Sequence, residues 1–193
     1  MRRTRFAVSL AIALAWGCSA QAQTTFALAD LLALTARQTS VQATFTEKKF
    51  IKGLDAPIES SGELSFEAPS RMTKRTLLPK AETLKLEGRM VTLERGRQSR
   101  SLSLDDYPEL AVHVEGIRAS LAGDRAELER VYRAELSGTS TQWKMVLTPL
   151  DEKAAAQVKT VVLSGEQAEI RSVQVLLTDG DSSVMKIAPP SGR

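Results

Sequence analysis

The chain has 193 residues, 42% apolar and 25% charged, which is long enough to bury a substantial core. Its 26 Lys and Arg exceed its 23 Asp and Glu only by Arg2, Arg3 and Arg5, so beyond the first five residues the chain is neutral and a global basic field for nucleic acid is excluded. One histidine, His113, and one cysteine, Cys18, exclude multi-histidine and cysteine–histidine metal sites and any internal disulfide.

The opening "MRRTRFAVSLAIALAWGCSAQAQTT" has arginines, an apolar run from Phe6 to Trp16 and the small-residue segment Ala20-Gln21-Ala22. This three-part layout predicts a secretory signal peptide over residues 1–22, released after Ala22 to leave one periplasmic domain over 23–193. The apolar run is about half the ~20 residues that a spanning helix needs. Cys18 after Gly17 offers the alternative of a lipidated N-terminal cysteine, although Ala15 and Trp16 make a poor lipobox. Without a disulfide, an exported domain is held by its core alone.

"TTFALADLLALTARQ" predicts a helix capped by Thr25, with Leu28, Leu31, Leu32 and Thr35 on one side. The period then changes to two. "SVQATFTEKKF" alternates Val41, Ala43 and Phe45 with polar residues, "GELSF" shows Leu64 and Phe66, and "ETLKLEG" shows Leu84 and Leu86. "MVTLERG" and "SRSLSL" follow, the latter with Leu102 and Leu104. These runs predict an antiparallel meander with one wet and one dry face. In "SSGELSFEAPSRMTKRT" two strands are broken by a proline. Arg71, Thr73 and Arg75 then share one face, against Glu59, Glu63 and Glu67, and Met72, Lys74 and Thr76 share the other. Met72 should look inward and Lys74 should sit at the rim. Arg71, Lys74 and Arg75 form either a charge-paired wet face or a docking patch for a partner.

"DDYPELAVHVEGIRASLAGD" predicts a second helix with Asp106 as N-cap, Pro108 in its first turn, Glu109 completing a capping box and Gly123 as its stop. Leu110, Val114, Ile117 and Leu121, spaced 4, 3 and 4, form an apolar stripe. A short helical piece over Asp124 to Glu129 precedes five further strands: "RVYRAELSG", "TQWKMVLTP", "VKTVVLSG", "EIRSVQVLLTDG" and "SSVMKIAPP". Asp179-Gly180 marks a tight turn, and Leu150 to Gln157 a longer loop. The sum is a mainly β (α+β) chain: about ten antiparallel strands in an unclosed barrel, with two or three helices over the dry face. With 5% aromatic residues, its interior is aliphatic and suits alkyl chains. The expected lining is Leu64, Phe66, Met72, Leu84 and Leu86, continued by Leu102, Leu104, Trp143, Met145 and Leu163. Leu110, Val114, Ile117 and Leu121 are the expected lid.

Catalytic signals are absent from the sequence. There is no G-x-S-x-G for a triad with His113, and no phosphate- or dinucleotide-binding glycine loop. "TDGDSS" lacks the later acidic ligand of a calcium loop. Asp105-Asp106 is accounted for by helix capping, and no carboxylate pair is singled out. The expectation is a non-enzymatic protein with no cofactor or metal; an acyl hydrolase is the alternative from another class.

The order of the N-terminal leucine-rich helix, "VQATFTEKKF", "SSGELSFEAPSR", "MVLTPLD" and the hairpin around "LTDGDSS" resembles the LolA family, periplasmic carriers of outer-membrane lipoproteins. It is nearest to LolA-related proteins of fatty-acid and aryl-polyene gene clusters, and it spans about Phe26 to Ile187. The resemblance implies an unclosed barrel with a helical lid over a hydrophobic cavity. It also implies a monomer that receives acyl chains of a lipoprotein or lipid from an inner-membrane donor and hands them to an outer-membrane acceptor. A membrane-anchored acceptor or regulator on the same fold is the alternative. Family members commonly place an arginine directly before the proline of the second motif, where it helps hold the lid shut. This chain has Ala68 there, and Arg71 nearby is not the same position.

Overall fold

Period-two patterning and closely spaced turns draw eleven strands into one antiparallel sheet in the computed structural model, which describes residues 26–190. The expected leader, with Cys18 and Ala22, lies outside those residues, as do Thr25 and the side chains of residues 108–110 and 112–113. The first half of the sheet is β1 (Ser40–Phe50), β2 (Ile58–Glu67), β3 (Arg71–Leu78), β4 (Glu82–Glu87), β5 (Met90–Arg95) and β6 (Gln98–Ser103). The second half is β7 (Tyr132–Thr139), β8 (Gln142–Pro149), β9 (Val158–Glu166), β10 (Glu169–Leu177) and β11 (Ser182–Ala188). Their order across the sheet is β6-β5-β4-β3-β2-β1-β11-β10-β9-β8-β7. β6 and β7 remain edges, so the barrel is unclosed.

The join at the centre is long-range: β1 pairs with β11, Phe45 opposite Ile187 and Glu47 opposite Met185. The other neighbours are sequential hairpins. One of them turns tightly at Gly88-Arg89 between β4 and β5, where Gly88 takes φ 59°, a conformation that side chains disfavour. That turn fixes where Arg89 points.

Helix α1 (Leu28–Thr35), α2 (Pro108–Ala122) and α3 (Arg125–Val131) cover the concave face, with a 3-10 turn at Leu104–Asp106 leading into α2. The larger core packs Leu31 and Leu32 of α1, Ala119 of α2 and Leu128 of α3 on Trp143, Met145, Leu147 and Leu163. A smaller core joins Leu86, Val91 and Leu104 to Ala111. α2 spans both. It can lie close because Gly116 faces the ring of buried Tyr132, where a Cβ would overlap the ring. Gly116→Val is therefore expected to cost about 2–3 kcal/mol by overpacking. It should appear as a lower urea midpoint with an unchanged slope.

Several local expectations are corrected. The N-cap of α1 is Ala27, not Thr25; its N–H donates to Asp30 Oδ2 at 2.9 Å. The N-cap of α2 is Tyr107, not Asp106, because the acidic pair is taken up in the 3-10 turn and no side chain caps the helix. Pro108 does begin α2, and Gly123 does end it, with φ 67°. The longer loop carries one helical turn, α4 (Glu152–Ala155), capped by Asp151, whose Ala154 is fully buried.

Candidate functional site

The face of α2 that approaches the sheet most closely is not its row of large apolar residues. Ala111, Glu115, Gly116, Ala119 and Ser120 are buried, while Val114, Ile117 and Leu121 are half-buried on the flanks. Small side chains let the helix backbone descend, and the larger ones reach down on either side. The expected lid stripe is divided accordingly. Val114 packs on the smaller core, Ile117 and Leu121 on the larger, and the side chain of Leu110 lies outside the described set.

The expected lining divides the same way. Met72, Leu84, Leu86, Leu102 and Leu104 belong to the smaller group; Trp143, Met145 and Leu163 belong to the larger. Leu104 lies in the 3-10 turn rather than on a strand. Phe66 is buried and Leu64 half-buried on β2, outside both groups. The two groups are therefore not one continuous apolar surface.

Between them opens a cavity of about 260 Å³ bounded by Arg89, Leu104, Asp105, Ala111, Glu115, Arg130, Val131 and Asp151. Its polar side is an ion-pair network. Glu115 of α2, only 5% exposed, accepts from Arg89 Nη1 of the β4–β5 turn and lies 3.5 Å from Arg130 Nη2 of α3. Arg89 Nε also donates to Asp105 Oδ1 at 2.6 Å. Arg130 donates to Glu127 at 2.7 Å, and Arg118 of α2 lies 3.6 Å from the same carboxylate. α2 is thereby fastened to the sheet on one side and to α3 on the other.

The network biases its own ionisation. The hydrogen bond from Arg89, then that from Ser103, holds the Asp105 carboxyl below its ordinary value. Arg130, chiefly by its hydrogen bond, does the same for Glu127 against the opposing effect of burial. Burial, reinforced by the charge of Glu115, pushes the Tyr132 phenol up. Carboxylates with lowered folded values contribute stability that is complete above the unfolded values, 3.8 for Asp105 and 4.5 for Glu127, and lost as pH falls through the folded ones. The melting temperature should therefore be insensitive to the network from pH 7 to about 5 and fall below about 4. Glu127→Gln should be less stable than the parent at pH 7 by at most about 1 kcal/mol, because its partner Arg130 is solvated. That gap should close by pH 3, and thermal melts across the range read both.

The strand in "SRMTKRT" alternates. Arg71 pairs with Glu67 and lies 3.8 Å from Glu87, and Arg75 lies 3.3 Å from Glu63, all exposed. Met72 turns inward. Lys74 also turns inward but is not a free rim cation: its Nζ is 2.6 Å from Glu47 Oε2 and 4.8 Å from the Phe45 ring centroid. Glu47 is 6% exposed and also accepts from Ser60 Oγ at 3.3 Å. A neutralised polar group thus lies on the concave face beside Phe45. Sequence reasoning missed Glu47, Arg89, Glu115 and Arg130. The one available signal for Glu115 was its place in the row Ala111-Glu115-Ala119, where a carboxylate between two alanines marks close approach with a partner supplied from elsewhere. No cluster of His, Cys, Asp and Glu suited to a metal occurs among the described residues.

The profile of a family described as outer membrane lipoprotein carrier protein LolA-like matches residues 20–189. No curated protein sequence matches the chain. Among solved structures, a LolA superfamily protein from Nitrosomonas europaea is 12% identical; the match covers 84% of this chain and 93% of that one, with a TM-score of 0.46. MucB of Pseudomonas aeruginosa, solved in complex with MucA, is 18% identical over 85% of this chain and 57% of its own, with a TM-score of 0.47. The lipoprotein LppX of Mycobacterium tuberculosis is 11% identical over 83% and 93%, with a TM-score of 0.41.

Proposed function

The chain belongs to the LolA-like family of outer membrane lipoprotein carrier proteins, and on that premise we propose that it carries the acyl chains of a lipoprotein or lipid intermediate through the periplasm, between its concave sheet face and the helices covering it. In this reading residues 1–22 are removed on export and 23–193 form one monomeric carrier domain. It receives cargo from an inner-membrane donor, passes it to an outer-membrane acceptor, and catalyses nothing. No helix among the described residues is long and apolar enough to cross a membrane.

The observation that carries the proposal is the seam under α2. A 16-carbon chain exposed to water costs up to roughly 12 kcal/mol, so transit requires an enclosure. The cavity of about 260 Å³ is smaller than the ~300–1,000 Å³ of typical small-molecule sites. Cargo must therefore lift α2. The helix is suited to lifting, since ion pairs from Glu115 to Arg89 and Arg130 share its hold with apolar contacts divided between two separate cores. Arg89 and Arg130, gripping Glu115, do here what the family's arginine beside the proline does elsewhere. Ala68, at the exposed β2–β3 turn, has no such reach.

The test is native mass spectrometry of protein isolated from periplasm, with extraction and identification of bound lipid. A mass increment matching one or more acyl-bearing molecules is expected. Lipid-free protein that also fails to take up a fluorescent fatty acid would sink the reading. Intact mass decides the N-terminus: cleavage before Gln23 supports the free carrier, and a diacylglyceryl mass on Cys18 supports an anchored acceptor.

A further inference from the structure

One end of the sheet is apolar where a water-facing turn should be polar. Among the described residues nine large hydrophobic side chains are exposed, and six of them sit on two adjacent hairpin ends: Phe50, Ile51, Leu54, Ile58, Leu77 and Leu78. The β1–β2 end carries the first four and the β3–β4 end the last two. β2 lies between β1 and β3, with Lys49 opposite Ile58 and Ser61 opposite Leu78. At ~4.8 Å per strand, the two turns stand within about 10 Å of each other. The most exposed are Leu54 at 53% and Leu78 at 64%. This end is far from α2 and its ion pairs, which sit at the opposite end of β4 and β5.

Two features distinguish the end from a stray apolar patch. First, it is apolar all round. Ile58, opposite Lys49, falls on the face shared by Phe45 and Glu47, whereas Phe50 falls on the other face. Second, it is ringed by lysines: Lys48, Lys49 and Lys52 beside the first turn, and Lys80 in the second. Lys48 is held 2.7 Å from Glu59, but Lys49, Lys52 and Lys80 form no salt bridge among the described residues. The neighbouring acids, Glu59, Asp55, Asp179 and Asp181, equal the lysines in number, and most are engaged. Asp181 accepts from the Lys52 N–H at 2.8 Å, and its own N–H donates to Asp179; Asp55 lies in the loop itself.

We propose that this sheet end is a membrane-docking tip, which sinks Phe50, Leu54, Leu77 and Leu78 into the boundary of an anionic bilayer while the lysines meet lipid phosphates. Exposed apolar groups at a sheet end with cations around them match the layering of a bilayer surface, acyl chains below and negative headgroups above. A second copy fits poorly. Two pairs of hairpin turns offer little of the ~800 Å² per partner that stable interfaces bury. A fluid bilayer, by contrast, moulds round such an end. The line of concave-face positions Ile58, Ser60, Gly62, Leu64 and Phe66 runs from this tip toward the interior, so docking here would set that face against the lipid source.

The inference is separate from acyl binding, and its test keeps the two apart. The full chain, as purified from cells, is floated with vesicles of phosphatidylglycerol and phosphatidylethanolamine, or of phosphatidylcholine alone. The expected result is binding to the anionic vesicles that weakens with salt, and at least fivefold weaker binding to phosphatidylcholine. Leu54→Asp with Leu78→Asp should lower partitioning into anionic vesicles at least tenfold, with unchanged thermal melting and fatty-acid affinity within twofold of the parent. Lys49→Glu with Lys52→Glu should remove the preference for anionic lipid. Equal vesicle binding by the parent and the leucine variant would overturn the proposal, including the case of a lipid anchor elsewhere. No parental binding to either vesicle would overturn it too, as would a dimer in solution that the leucine substitutions dissolve without any effect on vesicles. Loss of fatty-acid binding by every protein, with vesicle binding intact, would remove the carrier reading and leave the tip standing.

Discussion

Replacing Arg89 and Arg130 together with methionine is expected to cost about 3 kcal/mol of stability and to speed acyl capture, the largest loss that any change away from the apolar groups should produce. The carboxylate of Glu115 is 5% exposed and held by these two guanidiniums. Removing one side of a buried pair leaves an uncompensated charge at about 3–5 kcal/mol. The lower figure applies because both arginines are about half exposed and water reaches their ends. A third substitution identifies the cause. Adding Glu115→Gln should restore most of the stability, since the amide needs no counter-charge. A double variant as stable as the parent, or one that glutamine does not rescue, would show that the network does not fasten α2.

Ile117→Asp is expected to abolish fatty-acid binding while lowering stability by about 2–4 kcal/mol. Ile117 is half-buried against the larger core on the underside flank of α2, where a lifted helix would meet an acyl chain. A carboxylate there must either desolvate or drag the helix into water. Ile117→Ala removes only volume and should cost about 1–2 kcal/mol, with affinity reduced no more than about tenfold. Titration with a fluorescent fatty acid, beside urea unfolding, separates the outcomes. Binding that survives in a folded Ile117→Asp protein would mean that α2 is not the lid.

Much of the fold was legible in the sequence because local chemistry dictates it. Strand and turn positions follow from period-two patterning closed by Gly, Pro or charge, and both main helices were placed to within a few residues. Errors fell where two local signals competed. Asp105 and Asp106 read as a helix cap, yet Asp105 turned out to be the partner of Arg89, sixteen residues earlier. "EKAA" read as loop because one buried alanine leaves no period to detect. The site was less legible. Apolar alternation identifies residues that face inward but not which of them touch, and so Leu86 and Leu163, both buried, belong to different groups.

The sequence by itself determined a mainly β chain, the face on which each apolar strand residue lies, the neutrality of all but the first residues, and the want of catalytic motifs. Each is a property of neighbouring residues or of composition. Only the tertiary structure decided that β1 closes on β11, that small residues form the underside of α2, and that Glu115 meets Arg89 and Arg130 in the seam between two cores. It also decided that Lys74 is neutralised by Glu47 and that two distant hairpin turns make one apolar tip. These join positions 15 to more than 100 residues apart, and one sequence records only that each residue is charged or apolar. Which charge it meets is set by how the sheet curls and where the helices come to rest.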